Sequence, residues 1–320
     1  MCGSLTFVPG FLVGHASDFK NLTGCTVILC PPGTVGSIDV RGSAAGTRQI
    51  DALQSYHIVN EVQAVFLSGG SAFGLDAAGG VMEFLEERGY GFDVAITRVP
   101  TVPAAVIFDL SLGNCRVRPD KAMGYAACVQ ATAGAVAEGS VGAGTGASVG
   151  KLFGITQGMK SGLGSVCLAG PNGLLVGALV VVNAFGDVRD CNTGALIAGA
   201  RLSPESAEFA DTAAYIRQGI VRHSFGEPNT TLGVIATNAR LTREQAHKVA
   251  QMGHNGLARS ITPIHTLFDG DIVFVLSQPM VEADLHVVGL LGEAALQLAI
   301  DRAIRLAHGL GVLPAYADLC

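Results

Sequence analysis

The residue types and their spacing at the Thr230 junction could do chemistry. The segment Pro228-Asn229-Thr230-Thr231 leads a turn directly into an apolar run, so a hydroxyl lies where the turn meets a strand predicted over 230–237. A threonine hydroxyl is a candidate nucleophile, but it is weak unless a base lies beside it. Taken alone, the junction is a turn that meets a strand.

Two carboxylates form a second candidate group. Asp269 and Asp271 stand at the start of an apolar strand predicted over 271–276. Their i, i+2 spacing in an extended backbone lets both side chains point the same way. Two like charges so close together favour raised pKa values or a cation between them. The simpler interpretation is a polar turn before a strand.

Glycine-rich segments invite a nucleotide or serine-hydrolase interpretation, but neither fits in detail. The loop 142–151 lacks the first glycine of a phosphate-binding loop, and a leucine follows Lys151 where serine or threonine is needed. Segment 69–74 is close to a nucleophile elbow, but Ser71 is one residue out of place, and capping the next helix is its simplest role. Lys151 needs a partner if it is buried in this apolar segment.

Composition narrows the class of protein. Of 320 residues, 49% are apolar and 14% charged, which predicts a large buried core. The net charge is −6 and no basic patch is present, so nucleic acid is not an expected partner. The apolar run Leu174–Phe185 is shorter than the roughly 20 residues of a membrane span and predicts a strand. Residues 1–9 do not resemble a signal peptide, which favours a cytoplasmic protein.

The cysteines and histidines show no metal-binding spacing. The eight cysteines contain no C-x2-C pair, and the eight histidines contain no H-E-x-x-H pattern. Free thiols are the expectation for the cysteines, and surface or core-capping roles for the histidines. Neither a metal nor a cofactor is predicted.

Strands and helices occur in groups, which favours an α+β layered fold in a single domain, 1–320. A capping box at Thr242 and Gln245 predicts the start of one helix. The helices are expected at 71–88, 122–138, 204–218, 242–260 and 284–308. Further strands are expected at 26–30, 64–68, 165–169 and 174–182.

The candidate motifs together resemble the L-aminopeptidase/D-esterase family, which includes β-aminopeptidases and nylon-oligomer hydrolases. The resemblance spans most of the chain. Its most specific segment is Ser68-Gly69-Gly70-Ser71-Ala72-Phe73-Gly74-Leu75-Asp76. The other matching segments are 13–15, 31–36, 41–42, 102–109, 118–119, 229–231 and 265–271.

The resemblance implies a four-layer αββα sandwich like that of N-terminal-nucleophile hydrolases, autoprocessed between Asn229 and Thr230. The products would be an α chain, 1–229, and a β chain, 230–320. Thr230 would then be the nucleophile, with Asn183 as the oxyanion or substrate-positioning amide. Lys151, Asp269 and Asp271 match the supporting lysine and carboxylates of the nylon-oligomer branch, and Phe108 and Ser71 are expected at the substrate pocket.

Cleavage would explain how Thr230 acquires a base. The α-amine of an N-terminal threonine has a pKa of roughly 7.7–8.0, close to working pH, whereas the amide nitrogen of the precursor cannot accept a proton. We therefore expect processing to precede activity.

Two departures bear on specificity. Some members of the family have a tyrosine where this chain has Phe108, and the aminopeptidase branch commonly uses serine as nucleophile, with a serine and a glutamate as support. Thr230 with two aspartates thus favours the nylon-oligomer branch in site chemistry. Amides of L-amino acids, D-esters, β-amino peptides and 6-aminohexanoate oligomers all stay open as substrates.

The resemblance also implies a homo-oligomer of αβ units, tetrameric or larger, that acts on small peptides or amides. Two alternatives of other classes are a non-catalytic small-molecule binding protein and an ornithine-type acetyltransferase that also cuts itself before a threonine. The Lys-Gly-Val-Thr-Ala-Pro start that is usual for the acetyltransferase is absent here.

Overall fold

Two five-stranded sheets form the centre of the protein, whose structure is a computed structural model that describes residues 3–220 and 228–319. Sheet I has the spatial order Leu12–Asp18, Thr23–Leu29, Ala64–Ser68, Ala104–Val106, Gly46–Arg48. Sheet II has the order Leu163–Ala169, Leu175–Asn183, Thr230–Ala239, Ile272–Val281, Val35–Val40. Within sheet II, only the pair Thr230–Ala239 and Ile272–Val281 is parallel.

The strand Thr230–Ala239, called the central strand below, is buried along its whole length. Because side chains alternate between the faces of a strand, Leu232 and Val234 enter the core between the two sheets, whereas Ile235 packs toward the helices. Thr230 has the parity of Leu232 and therefore belongs to the face between the sheets. Thr231 belongs to the helix-covered face.

Helices cover the outer faces of both sheets. Arg243–Ser260 and Leu285–Arg305 pack on sheet II, and Ala78–Glu86 and Lys121–Val129 pack on sheet I. The layers are therefore helix, sheet, sheet, helix, with an apolar core at each of the three contacts. This arrangement is the αββα sandwich that the resemblance implied.

Shorter elements connect these layers. Two short α-helices are Thr212–Arg217 and Tyr316–Leu319. Single turns of 3-10 helix lie at Leu5–Phe7, Ile50–Leu53, Gly142–Gly144, Ile155–Gln157 and Pro171–Gly173, and a longer one at Ser71–Ala77. The small strands are Ser148–Val149 with Met159–Lys160, Phe92–Asp93 with Arg98–Val99, and Asp187–Arg189 with Leu196–Ala198 and Ile261–Thr262.

The structure confirms the main strands and the two long helices, including the capping box at Thr242 and Gln245. The helix predicted over 122–138 is wrong after Val129, because the backbone of Thr132 pairs with Val13 of sheet I and leaves the helical path. The helix predicted over 204–218 is reduced to Thr212–Arg217.

Other predictions have mixed outcomes. Segment 71–88 begins as a 3-10 helix whose N-cap is Gly70, so a capping role for Ser71 is wrong. The predicted loop 226–229 lies partly outside the described residues, as do Cys2 and Cys320. The other six cysteines form no disulfide bond with one another. Among the helices of residues 3–220 and 228–319, none has the length and apolar character to cross a membrane.

Candidate active site

Thr230 lies at the buried start of the central strand, on the face between the two sheets. Its side chain is 2% exposed, and its Oγ1 donates a hydrogen bond to the carbonyl oxygen of Asn229 at 2.5 Å. The peptide bond between the two residues is intact in this structure. The hydroxyl is thus in contact with the peptide bond that is the predicted cleavage site.

The carbonyl oxygen of Asn229 has a second donor. The backbone N–H of Gly270 donates to it at 2.8 Å, and the backbone N–H of Asn229 donates to the carbonyl oxygen of Phe268 at 2.7 Å. The bond before Thr230 is therefore held against segment 268–270. A backbone donor on a carbonyl oxygen polarises that carbonyl and stabilises the negative charge that an attack on its carbon would create.

Asn183 is the register partner of Thr230 on the neighbouring antiparallel strand. Residues paired in this way have their Cβ atoms about 5 Å apart on the same face of the sheet. Asn183 is fully buried, and the Lys151 ammonium donates to its Oδ1 at 2.7 Å. The sheet register and the lysine together place this amide beside the threonine.

The orientation of the Asn183 amide follows from its partners. The N–H of Ser148 also donates to Oδ1 at 3.2 Å, and an ammonium and a backbone N–H can only donate, so the acceptor must be the oxygen. The amide nitrogen Nδ2 is left as the donor, and it reaches the carbonyl oxygen of Phe108 at 3.1 Å. Nδ2 carries two hydrogens, so one of them is available to a further acceptor beside Thr230.

Asp269 is 1% exposed and accepts three hydrogen bonds. The N–H of Phe185 donates to Oδ1 at 3.1 Å, and Thr266 donates to Oδ2 from its backbone at 3.2 Å and from its hydroxyl at 2.5 Å. Burial, and secondly the nearby Asp271, raise the pKa of Asp269 from 3.8 to about 6. This pKa shift is consistent with the expectation that the two aspartates lie close enough to interact.

Asp271 is fully buried and links the central strand to the loop before it. Its Oδ1 accepts from the backbone N–H of Thr231 at 2.8 Å. Its Oδ2 accepts from the backbone N–H and the ring Nδ1 of His265, at 3.0 and 2.9 Å. In the uncut chain this carboxylate therefore fixes the residue after the nucleophile candidate.

A second buried lysine, Lys160, was not identified in the sequence. Its ammonium donates to the carbonyl oxygens of Thr145, Ala147 and Ser161 at 3.0, 2.5 and 3.3 Å, and so holds the glycine-rich loop that ends in Ser148 and Lys151. Burial lowers the pKa of Lys160 to about 7. In the sequence, Lys160 ends a strand-like pair and is followed by Ser161 and Gly162. Nothing in this local pattern distinguishes a buried lysine from a surface lysine.

The structure brings five of the predicted residues into one cluster: Thr230, Asn183, Lys151, Asp269 and Asp271 are linked through Asn229, Thr231 and Phe185. Phe108 joins this cluster through its backbone oxygen, and it lines a small cavity together with Ser148 and Lys151. Among the described residues, no hydrogen bond joins Ser71 to the cluster; its N–H donates to the carbonyl oxygen of Ile107. His265, Gly270 and Ser148 are contacts that the sequence analysis missed.

The structure offers no group of histidine, cysteine and carboxylate side chains in residues 3–220 and 228–319 that could hold a metal ion. The cluster combines a buried hydroxyl with an amide donor opposite it and an ammonium and carboxylates behind it. Such a set suits acyl transfer.

The raised pKa of Asp269 predicts a pH-dependent contribution to stability. The folded protein holds a proton on Asp269 that the unfolded chain releases between pH 3.8 and about 6, so this contribution is full below pH 3.8 and is lost as the pH rises through about 6. In Asp269→Asn the side chain is neutral throughout, so we expect its apparent Tm, relative to the unsubstituted protein, to increase from pH 4 to pH 7. Parallel Tm profiles for the two proteins would contradict this account.

Comparison with known proteins identifies the family of this chain. The sequence profile of peptidase family S58 matches residues 3–307. An uncharacterised aminopeptidase of Mycobacterium leprae is 42% identical over 300 residues, which cover 88% of this chain and 80% of the relative. A 6-aminohexanoate-oligomer endohydrolase of Kocuria sp. is 32% identical over 285 residues, covering 84% of this chain and 73% of the relative.

Among solved structures, the fold is similar to that of the L-aminopeptidase D-Ala-esterase/amidase of Ochrobactrum anthropi, described as a variant of the Ntn hydrolase fold. The TM-score is 0.73 at 18% identity, and the match covers all of this chain and 93% of the other. These matches favour a hydrolase over the binding protein and the acetyltransferase considered as alternatives. The chain belongs to peptidase family S58 and is a hydrolase of amide bonds.

Proposed function

We propose that this protein cuts itself between Asn229 and Thr230, and that Thr230 of the resulting 230–320 chain is the nucleophile that hydrolyses linear amides. The observation that carries the proposal is the contact of Thr230 Oγ1 with the carbonyl of Asn229, at 2.5 Å, in a site closed to solvent. A reacting hydroxyl and its target are held together there before any substrate arrives.

The self-cleavage proceeds in two steps. Thr230 Oγ1 attacks the carbonyl carbon of Asn229, its proton passes to the departing Thr230 nitrogen, and the C–N bond breaks to leave an ester between Asn229 and the hydroxyl. Water then cleaves this ester into the Asn229 carboxylate and a free Thr230 with an α-amine. Gly270 N–H, already on the carbonyl oxygen at 2.8 Å, stabilises the charge that forms there.

The same groups serve the mature enzyme in different roles. The α-amine of Thr230 takes the proton of its own hydroxyl as the hydroxyl attacks a substrate amide, because its pKa near 8 is matched to neutral pH. Asn183 donates to the oxyanion from Nδ2, and Lys151 keeps that amide in its donating orientation. Asp269 and Asp271 hold the start of the central strand and the new amine.

The substrates that we propose are small peptides or linear amides, in keeping with the names of the relatives: an aminopeptidase at 42% identity and a 6-aminohexanoate-oligomer endohydrolase at 32%. The test is a panel of L-amino-acid amides, D-amino-acid esters, β-amino peptides and 6-aminohexanoate oligomers with the processed protein. Turnover of any amide in the panel supports the proposal, and hydrolysis of none of them contradicts it.

Self-cleavage has a direct readout. Purified protein is expected to run as two bands on a denaturing gel, and intact mass should give fragments 1–229 and 230–320. One full-length band together with full amidase activity would overturn the proposal, because an intact chain has no α-amine at Thr230.

We also propose that the processed units form a homo-oligomer. The hairpin formed by Phe92–Asp93 and Arg98–Val99 exposes large apolar side chains to solvent, and Ile96 at its tip is 93% exposed. Exposed apolar groups of this kind mark surfaces that another protein covers. Light scattering should give the mass of a multimer, and Ile96→Glu should reduce that mass if the hairpin lies in the interface.

A further inference from the structure

His265 holds one oxygen of Asp271 with two hydrogen bonds. Both its backbone N–H and its ring Nδ1 contact Oδ2, at 3.0 and 2.9 Å. A carboxylate can only accept, so the ring proton lies on Nδ1. The other oxygen, Oδ1, accepts from the backbone N–H of Thr231 at 2.8 Å. One buried carboxylate thus connects His265 to the residue that follows Thr230.

The backbone of His265 adopts a left-handed conformation. Its φ is +56°, which is uncommon for residues other than glycine, although histidine, asparagine and aspartate occur there several times more often than the rest. Such a conformation persists where the surrounding contacts require it. Here it accompanies the convergence of two donors from one residue on a single oxygen.

The ring of His265 is held from the other side by a second histidine. The His254 ring, fully buried on helix Arg243–Ser260, packs edge-on against it with 4.9 Å between ring centroids. Nε2 of His254 contacts the carbonyl oxygen of Asp39 at 3.1 Å and so carries the proton. Burial lowers the pKa of His254 to about 4, which keeps this supporting ring neutral at working pH.

We propose that His265 is a positioning residue for the reaction: it fixes the Asp271 carboxylate, and through Thr231 N–H it fixes the angle at which Thr230 enters the central strand. The inference rests on the proposed function, with Thr230 as nucleophile. A hydroxyl must lie within a few tenths of an ångström of its productive position, so loss of the ring donor should lower the rate of chemistry more than substrate binding.

The test compares two substitutions that both tolerate the left-handed backbone. His265→Asn keeps a side-chain N–H at about the position of Nδ1, whereas His265→Gly keeps only the backbone donor. We expect His265→Gly to lower the rate of self-cleavage and kcat by about tenfold to a hundredfold, with KM changed by less than about threefold. His265→Asn should recover most of the loss.

A double-mutant cycle with Asp271→Asn tests the route of the effect. If His265 acts through Asp271, His265→Gly in the Asp271→Asn background should cost little beyond Asp271→Asn alone. The matched control is His286, which contacts Asp284 through its backbone N–H and Nδ1 in the same way but is exposed at the start of another helix. His286→Gly should leave both rates unchanged.

Three outcomes overturn the inference: equal activity of His265→Gly and the unsubstituted protein, equal loss in the asparagine and glycine variants, or additive effects in the cycle. Failure of the proposed function has a different signature, because an active Thr230→Ala protein would exclude that nucleophile whatever His265 does. Thermal unfolding of each variant separates a loss of rate from a loss of folded protein.

Discussion

Thr230→Ala is expected to accumulate as one uncut chain of 320 residues with no measurable amidase activity. In the proposed mechanism a single hydroxyl attacks first the carbonyl of Asn229 and later the substrate, so its removal blocks both reactions. We expect the hydrolysis rate to fall by about 10,000-fold or more, the range seen when a catalytic nucleophile is removed. Gel electrophoresis and a fixed-time assay measure the two effects separately.

The neighbouring residue supplies the matched control. Thr231 is also fully buried, but its side chain belongs to the opposite face of the strand, and its hydroxyl has no hydrogen-bond partner among the described residues. Thr231→Val replaces an unsatisfied buried hydroxyl with a methyl group of similar size, which should be neutral or stabilising. The variant keeps the backbone N–H that donates a hydrogen bond to Asp271. An uncut or inactive Thr231→Val protein would mean that the strand, and not the Thr230 hydroxyl, controls the reaction.

Thr230→Ser is a second informative variant. It keeps the hydroxyl and loses one methyl group, so self-cleavage should persist at a reduced rate. A serine variant as inert as the alanine variant would argue against a hydroxyl nucleophile.

The second large effect is expected at Asn183. Asn183→Ala removes the donor opposite Thr230, and loss of one oxyanion donor commonly lowers kcat by about 100- to 1000-fold, or roughly 3–4 kcal/mol. It also removes one acceptor of the buried Lys151 ammonium, so part of the loss will appear as reduced stability. Steady-state kinetics on fully processed protein, together with thermal unfolding, separates the two contributions.

Asn238 is the matched control for that experiment. It is 4% exposed near the far end of the central strand, where Oδ1 accepts from the N–H of Leu175 at 2.7 Å and Nδ2 donates to the carbonyl oxygen of Gly173 at 2.9 Å. Asn238→Ala therefore removes a comparable pair of buried hydrogen bonds away from Thr230. We expect reduced stability with kcat nearly unchanged; equal losses of kcat in both variants would remove the special role given to Asn183.

Local patterns in the sequence were sufficient for much of the fold. The β-branched runs, the turn at 170–173 and the capping box at Thr242 each combine strong local preference with a buried face, and these elements appear where they were expected. The helix beyond Val129 failed for a nonlocal reason, since Thr132 pairs with Val13 more than 100 residues earlier in the chain. Alanine-rich composition carries no information about such a competing partner.

The candidate site likewise contains residues that local sequence could predict and contacts that it could not. Thr230 and the two aspartates follow from the chemistry of neighbouring residues and from the resemblance. The link between Lys151 and Asn183 depends on the register of sheet II and on a loop whose course is fixed by Lys160. The roles of His265 and Gly270 were not predicted. His265 acts through an unusual backbone angle and Gly270 through a backbone N–H, and neither feature can be read from the type of residue.

The backbone hydrogen bonds of Asn229 have a consequence for the time at which turnover begins after cleavage. If the chain is cut before Thr230 as proposed, we expect the Gly270 N–H and the carbonyl oxygen of Phe268, which bind Asn229 in the continuous chain, to keep holding its new carboxylate end. The end of the 1–229 chain would then be a tethered product, present at an effective concentration in the millimolar range, in the space that a substrate acyl group needs. Cleavage and onset of turnover should therefore be separate events, with a lag during which the enzyme is inhibited by its own tail.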